Sequence, residues 1–355
     1  MKKGTATMKQ QHYTIFISAW SETPGEGGIR TYSISPDCQP HFHSSVELLC
    51  AGYLAFSPDR KILYSTCRAN ENSDAVAAFA IDQDGSLKQL GQIVESTGSS
   101  TCHLSVSPDG RFLYAANYFS GTFSEFSLAQ DGSINALEQV FCHTGSGPNK
   151  QRQEMAHPHC CVFSPDGRFL TVADLGNDTL FSYPYSPDRG IDFDNPVTSA
   201  TAPGDGPRHI LFDPEKELAY VIMELGNSVI SYHFDNGRFT AADELYLLPR
   251  GVNCPTKASA LRFSDDRSFL LCSNRGFDSL ASIELDGSGG MFPAAITLSG
   301  GSSPRDINFI GKDFFAAANE FSDEVRFFDF DRSDGSLTPN GFELRMPRPL
   351  CIIQL

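Results

Sequence analysis

The sequence predicts an all-β protein, a seven-bladed β-propeller of four-stranded blades whose ring is closed by pairing its N- and C-terminal segments. Three observations lead there. The 355 residues include 30 Gly, 21 Pro and 28 Phe, a composition that favours strands and turns over helices. A short apolar run followed by Ser-Pro-Asp and a second apolar run recurs about every 50 residues, near the size of a four-stranded blade. The chain also begins with part of such a unit and finishes on a lone apolar strand.

The repeat is explicit at Leu54-Ala-Phe-Ser-Pro-Asp59, Leu104-Ser-Val-Ser-Pro-Asp109 and Val162-Phe-Ser-Pro-Asp166. It continues at Ile210-Leu-Phe-Asp-Pro214 and Leu261-Arg-Phe-Ser-Asp265, and degenerates at Ile307-Asn-Phe-Ile-Gly311. Residues 103 to 140 show one blade best. His103 to Ser107 reads as strand a, Phe112 to Asn117 as b, Thr122 to Leu128 as c and Ile134 to Val140 as d, with Pro-Asp-Gly and Asp-Gly-Ser at the turns. Such small sheets are unstable alone, and radial stacking buries both faces.

Six copies leave Tyr13 to Ala19, Ile29 to Ile34 and Val46 to Leu49 as strands b, c and d of a blade without strand a. The segment Pro349-Leu-Cys-Ile-Ile-Gln-Leu355 supplies the missing strand and removes two exposed edges. Residues 1–11 read as a disordered N-terminal extension and 12–355 as one propeller domain.

The formal net charge of −16 and the lack of any basic run argue against nucleic-acid and membrane partners. No apolar stretch approaches the roughly 20 residues of a membrane span, and no leader pattern follows Met1, so a cytoplasmic protein is expected. The ten cysteines show no CxxC or other metal-type spacing. They read as reduced, buried thiols. Neither metal nor cofactor is expected, and the chain is expected to be a monomer or a weak homodimer.

Strand a of an antiparallel blade crosses the ring one way and strand b returns, so the residues entering a and leaving b share one mouth of the channel. Counting six back from the turn proline selects Gly52, Cys102, His159, Arg208, Ser259 and Arg305. The b exits carry Arg68, Asn117, Asp174, Glu224, Asn274 with Arg275, and Asn319 with Glu320. Asparagine there also suits a turn, the competing reading for Asn117, Asn274 and Asn319. Convergence of His159, Arg208, Glu224 and Arg275 on a channel is costly unless they bind something. His157 and His159 share a strand face as a metal pair would, but no third ligand is evident. His41 and His43 fall in a polar connection. His103 and His209 lie one residue deeper, where structural histidines are common, although His103 stays a substrate-binding candidate with His157, Asn117, Arg152 and Arg305.

At these residues the chain resembles the lactonase-type seven-bladed propellers, which include bacterial 6-phosphogluconolactonases and fungal carboxy-muconate lactonizing enzymes. The carriers are Cys102-His-Leu-Ser-Val-Ser-Pro-Asp-Gly110, Gly145-Ser-Gly-Pro-Asn149 with Arg152-Gln-Glu154, His157-Pro-His159, Gly206-Pro-Arg-His209, Met223-Glu-Leu225 and Ser273-Asn-Arg275. The resemblance implies an active site at His159, Glu224, Arg208 and Arg275. It implies hydrolysis of a small anionic sugar lactone, with Glu224 or His159 as base and a guanidinium stabilising charge. The blade-5 run Met223-Glu224-Leu225-Gly226-Asn227 is closer to the muconate enzymes, so cycloisomerisation is the alternative. A non-catalytic binding propeller is the rival class, and a rim of His, Glu and Arg with one Trp in the whole chain argues against it.

Overall fold

Residues 12–355 are described by a computed structural model, in which seven antiparallel sheets follow one another around a ring. From the centre outward each sheet runs a, b, c, d. Blade 1 pairs Pro349–Gln354 with Tyr13–Ala19, Gly28–Ile34 and Pro40–Glu47. Strands a and b of the other blades are Leu54–Phe56 and Ile62–Asn70, Thr101–Val106 and Phe112–Asn117, Pro158–Phe163 and Phe169–Asp174, Pro207–Phe212 and Leu218–Met223, Lys257–Phe263 and Phe269–Arg275, and Pro304–Ile310 and Phe314–Asn319. The reading of residues 1–11 lies outside the described residues. Among the described residues no helix is long and apolar enough to cross a membrane.

The Ser-Pro-Asp repeat has a direct structural cause. In blade 3 the Ser107 hydroxyl donates to Asp109 Oδ1 at 2.6 Å and accepts the Phe112 N–H at 2.9 Å, joining the turn to the start of strand b. Ser57, Ser164 and Ser264 do the same. Gly110 takes the left-handed conformation (φ 71°) that closes the turn without a Cβ penalty. Strands b are buried on both faces, and their side chains join apolar clusters with the neighbouring blades: Ile17 and Ile352 of blade 1 pack with Ala318 and Phe327 of blade 7, while Phe16 and Cys351 pack with Leu63 and Phe79 of blade 2.

Two details differ from the sequence reading. Strand d of blade 1 is Pro40–Glu47 rather than 46–49, so His41 and His43 lie on that outer strand, exposed, instead of in a connection. The apolar pair Val46-Leu49 that suggested a strand marks only its end, because an outermost strand needs little apolar character. In blade 4 the outer position is shared: Thr179–Ser186 pairs with Val197–Ala200 along one half and with the short Gly190–Ile191 along the other.

Closure of the ring rests on the register Ile15↔Gln354, Phe16↔Ile353, Ile17↔Ile352 and Ser18↔Cys351. Asp306 of blade 7 reinforces it, accepting the Ile352 N–H at 2.8 Å while pairing with Arg262 at 2.9 Å. Removing residues 349–355 strips fully buried Cys351 and Ile352 and opens both edges. The truncated protein is expected to melt about 10 °C or more below the full chain. An unchanged melting temperature in a calorimetric scan counts against closure by this strand.

Candidate active site

The site is built by a register irregularity repeated around the ring. In blade 5, Pro207 faces Met223 and His209 faces Ile222, so Arg208 between them is unpaired. The same one-residue bulge leaves Cys102, His159, Arg305 and Leu350 unpaired in blades 3, 4, 7 and 1. Blade 6 has a longer interruption between Ala258 and Leu261 that contains Ser259. A bulge re-aims its side chain. Cys102, His159, Arg208, Arg305 and Leu350 all line one cavity at the channel mouth, of about 730 Å³, within the range of small-ligand sites.

A second set comes from the residue after strand b, whose N–H returns to the residue before strand a. Glu224 donates to the Gly206 carbonyl at 2.8 Å, Glu320 to Ser303 at 2.9 Å, Tyr118 to Ser100 at 3.0 Å and Trp20 to Arg348 at 3.1 Å. These four and Arg275 line the cavity. Beneath them, the residues one step past the bulges close the channel: Tyr53 stacks on His103 with centroids 4.0 Å apart, and His209 meets both edge-on.

Glu224 is the centre of the arrangement. Its side chain is 3% exposed and receives Arg152 Nη2 at 2.5 Å on one oxygen, and Arg208 Nε at 3.1 Å and Arg275 Nη2 at 2.7 Å on the other. Burial opposes its charge, but Arg275, Arg208, His159 and Arg152 outweigh burial and hold the carboxyl well below the usual range. Burial first, then Arg208, keeps His159 well below the ordinary histidine value, so its imidazole is neutral. Burial and Arg275 push Arg208 down to about 9, which leaves it charged at neutral pH. Seven cations, Arg68, Arg152, Arg208, Lys257, Arg275, Arg305 and Arg348, and six carboxylates, Glu71, Asp74, Glu154, Glu224, Asp306 and Glu320, line the cavity. Glu224 pairs with Arg152, Arg208 and Arg275 and Glu320 with Arg305 and Arg348, whereas Asp74 pairs with Arg68, Asp306 with Arg262 and Glu154 with His157. Around Glu224 and Glu320 the guanidiniums are in excess, five against two carboxylates, a local positive balance in a chain of net charge −16.

His159, Arg208, Glu224 and Arg275 are brought together with Arg152, His157 and Arg305 around this cavity. His157 stacks on Tyr118 at 4.4 Å and donates from Nδ1 to the Tyr118 carbonyl at 2.8 Å, so it braces the wall. Among the described residues no cluster of three metal-type ligands includes it. Two expected contacts are not brought there. His103 lies in the layer below, with Nε2 3.4 Å from Cys160 Sγ. Asn117 faces Thr101 inside the ladder, its amide donating to Thr122 at 3.1 Å and Ser124 at 2.9 Å, and it packs so closely under Gly98 that a Cβ there would lie 2.2 Å from its Cγ. The blade-3 counterpart of Glu224 is the next residue, Tyr118. One step along a strand reverses the side-chain direction.

The sequence reading also missed Trp20, Tyr118, Lys257 and Arg348. Trp20 and Tyr118 were findable by extending the post-b position to blades 1 and 3. They give the rim the aromatic surface it was expected to lack, together with Phe119.

Comparison with known proteins agrees with this architecture. The family model described as lactonase, 7-bladed beta-propeller, matches residues 14–354. The chain is 33% identical to a 6-phosphogluconolactonase of Bacillus subtilis over 350 residues, covering 96% of this chain and 97% of that one. It is 32% identical over 295 residues to an uncharacterized protein of Staphylococcus saprophyticus, covering 82% and 84%. The structure of a periplasmic gluconolactonase from Pseudomonas aeruginosa superimposes with a TM-score of 0.89 at 27% identity, covering 97% and 99%. The fold, the bulged mouth and the full-length match together mean that this chain belongs to the lactonase family of seven-bladed β-propellers.

Proposed function

We propose that the protein hydrolyses a small anionic sugar lactone at the mouth of the propeller, with His159, Glu224, Arg208 and Arg275 as its catalytic group. One observation carries the reading: a neutral imidazole lies beside a buried carboxylate clamped by three guanidiniums, on the wall of an open cavity. The similar Bacillus and Pseudomonas proteins, named as lactonases, support it.

In this reading His159 is the base. Both oxygens of Glu224 are engaged by guanidiniums and its proton affinity is low. Its charge instead favours the imidazolium that forms on His159. Water attacks the lactone carbonyl as His159 takes its proton. Guanidinium N–H groups of Arg208 and Arg275 meet the developing oxyanion, and Arg275 Nε, buried without a partner, is free to donate. The ring C–O bond breaks, the imidazolium returns the proton to the ring oxygen, and a hydroxy acid leaves. No cofactor enters this scheme. Each group comes from one chain, which fits a monomer or a weak homodimer. The ten free thiols favour a reducing, cytoplasmic setting, although the Pseudomonas structure is of a periplasmic protein. Cell fractionation decides the compartment.

A lactone panel followed by proton release is the direct assay. Hydrolysis of a sugar lactone is the expected result; turnover of a muconate without hydrolysis favours cycloisomerisation, and no turnover of either favours a binding propeller. His159→Asn is expected to lower kcat about 10² to 10⁴-fold. Glu224→Gln, which keeps shape but removes the charge balancing three guanidiniums, is expected to lower kcat about 10²-fold. Near-normal turnover in both variants removes this site from consideration.

Salt and pH supply independent checks. Attraction of an anion to the surplus guanidiniums around Glu224 and Glu320 requires KM to rise with ionic strength, and indifference to salt contradicts it. His159 is depressed in the free protein, so kcat/KM should stay flat as pH falls through 6.5 and decline only well below it. A bound anion offsets the guanidinium charges that depress His159, so the acid limb of kcat should lie at higher pH than that of kcat/KM. Coincident limbs argue against His159 as the base.

A further inference from the structure

We infer that Gln153 is a positioning residue of this site: joined to Asp178, it fixes the loop that lays Arg152 on Glu224. The inference rests on the lactonase reading above and adds to it a residue that stands outside the cavity. Of the three guanidiniums on Glu224, Arg208 sits in a strand-a bulge and Arg275 ends a strand b. Arg152 alone comes from a connection, residues 143–157, and its side chain is 27% exposed. Holding a long, partly exposed arginine in one rotamer costs conformational freedom, so its backbone must be fixed by something other than a ladder.

Gln153 supplies that fixing. It is the one buried residue between His143 and Ala156, although glutamine mostly stays at the surface. Burying its amide is tolerable because both polar atoms are engaged. Oε1 accepts the Asn149 N–H at 3.1 Å, and Nε2 donates to the Leu175 carbonyl at 2.9 Å and to Asp178 Oδ1 at 2.7 Å. Its main chain donates to the Asn149 carbonyl at 2.7 Å and accepts the Gly147 N–H at 2.9 Å. The loop closes on the amide so tightly that a Cβ on Gly147 would lie 2.5 Å from Gln153 Cδ.

Asp178 connects this loop to the rest of the clamp. In four blades an aspartate at the start of strand c takes the N–H of the residue two before the next blade's bulge position. Asp74 takes Ser100, Asp178 takes Gly206 at 2.8 Å, Asp278 takes Ser303 at 2.8 Å and Asp323 takes Arg348 at 2.9 Å. The latch of blade 4 therefore ends on Gly206, two residues before Arg208, and the Gly206 carbonyl accepts the Glu224 N–H. Gln153 joins that latch from the loop side. A continuous hydrogen-bonded path thus runs from the neighbour of Arg152, through Asp178 and Gly206, to the backbone that carries Arg208 and Glu224.

The imidazole of His159 reads out the clamp. It is faced by Glu224, Arg208, Arg275 and Arg305, with the His209 ring 5.4 Å away, Tyr118 edge-on at 5.5 Å and Cys102 Sγ 3.9 Å from Nδ1. Lifting Arg152 off Glu224 leaves that carboxylate less neutralised, which favours the imidazolium, whereas loosening the loop without moving Arg152 leaves His159 unchanged.

The full-length protein is compared as wild type, Gln153→Met, Arg152→Met and the double variant. His159 is followed without turnover by NMR titration of ring-labelled histidine, its signal assigned by loss in His159→Asn, and with turnover by the acid limb of kcat/KM on the lactone that the wild type opens. In Gln153→Met both midpoints are expected to rise by about half a pH unit or more, and kcat/KM at neutral pH to fall about tenfold or more. The double variant should match Arg152→Met within about twofold, since the glutamine acts only through the arginine. Midpoints equal to wild type in a folded Gln153→Met, or a double variant in which the two losses multiply, overturn the assignment. If Gln153→Met does not fold, the isosteric Gln153→Glu takes its place: repulsion by Asp178 loosens the same contact, and the same shifts are expected. Failure of both to fold makes Gln153 a residue of stability alone and overturns the assignment as well. An NMR midpoint that moves in a protein that opens no lactone keeps the positioning role and removes the lactonase reading.

Discussion

Everything at the mouth of this propeller depends on the single unpaired residue near the start of strand a. Within a regular ladder, side chains alternate between the two faces of a blade, and both faces are buried against neighbours. Only the end of such a ladder can present a charge to the channel, as the pair Lys257–Arg275 does in blade 6. By slipping the register by one residue, the bulge withdraws Cys102, His159, Arg208, Arg305 and Leu350 from that alternation. The layer immediately below returns to regular pairing and is filled by Tyr53, His103 and His209, which gives the cavity a floor. Recognition chemistry and a sealed core are thus separated by one residue of chain.

The charge arrangement above that floor is a poor device for stability. Burying ions costs more than mutual attraction commonly returns, and well-packed apolar residues often do as well. Three guanidiniums around Glu224 also exceed what one carboxylate neutralises. Such an excess is sustainable if a ligand completes it. The same reasoning separates Glu224 from His143–Asp174, a buried pair 2.7 Å apart that is satisfied at both ends by Tyr183 and backbone N–H groups and does not line the channel-mouth cavity. One pair closes on itself, whereas the other is left open to the mouth.

Much of this was legible in the sequence because the Ser-Pro-Asp turn is a fixed ruler. Its serine binds the first N–H of strand b, so the distance back to the bulge is constant, and six residues before the proline lie Cys102 and His159. The exits of strand b have no comparable marker. Asn117 and Asp174 were therefore read one position short of Tyr118 and Leu175, the residues equivalent to Glu224. Blade 1 has its Ser-Pro-Asp turn, Ser35 to Asp37, between strands c and d, and none between a and b, because those two strands come from opposite parts of the chain. The ruler fails there, and Trp20 and Arg348 escaped notice for that reason. Arg152 reaches the mouth from a connection, where sequence periodicity carries no directional information, and Lys257 opens strand a of blade 6 two residues ahead of the counted position Ser259.

The split blade has a consequence for how the molecule is made. Ile17 and its partner Ile352 lie far apart in the chain, so on a ribosome adding roughly 5 to 20 residues per second the first strand waits between about 15 and 70 s for its mate. Throughout that interval the nascent chain displays an apolar edge at blade 1, Phe16 and Ile17 included, while the six later blades form in order. Biosynthesis of this ring is a race between the last strand and any other edge that could dock first. Chaperone capture or slow translation near the end of the message would therefore act mainly on blade 1.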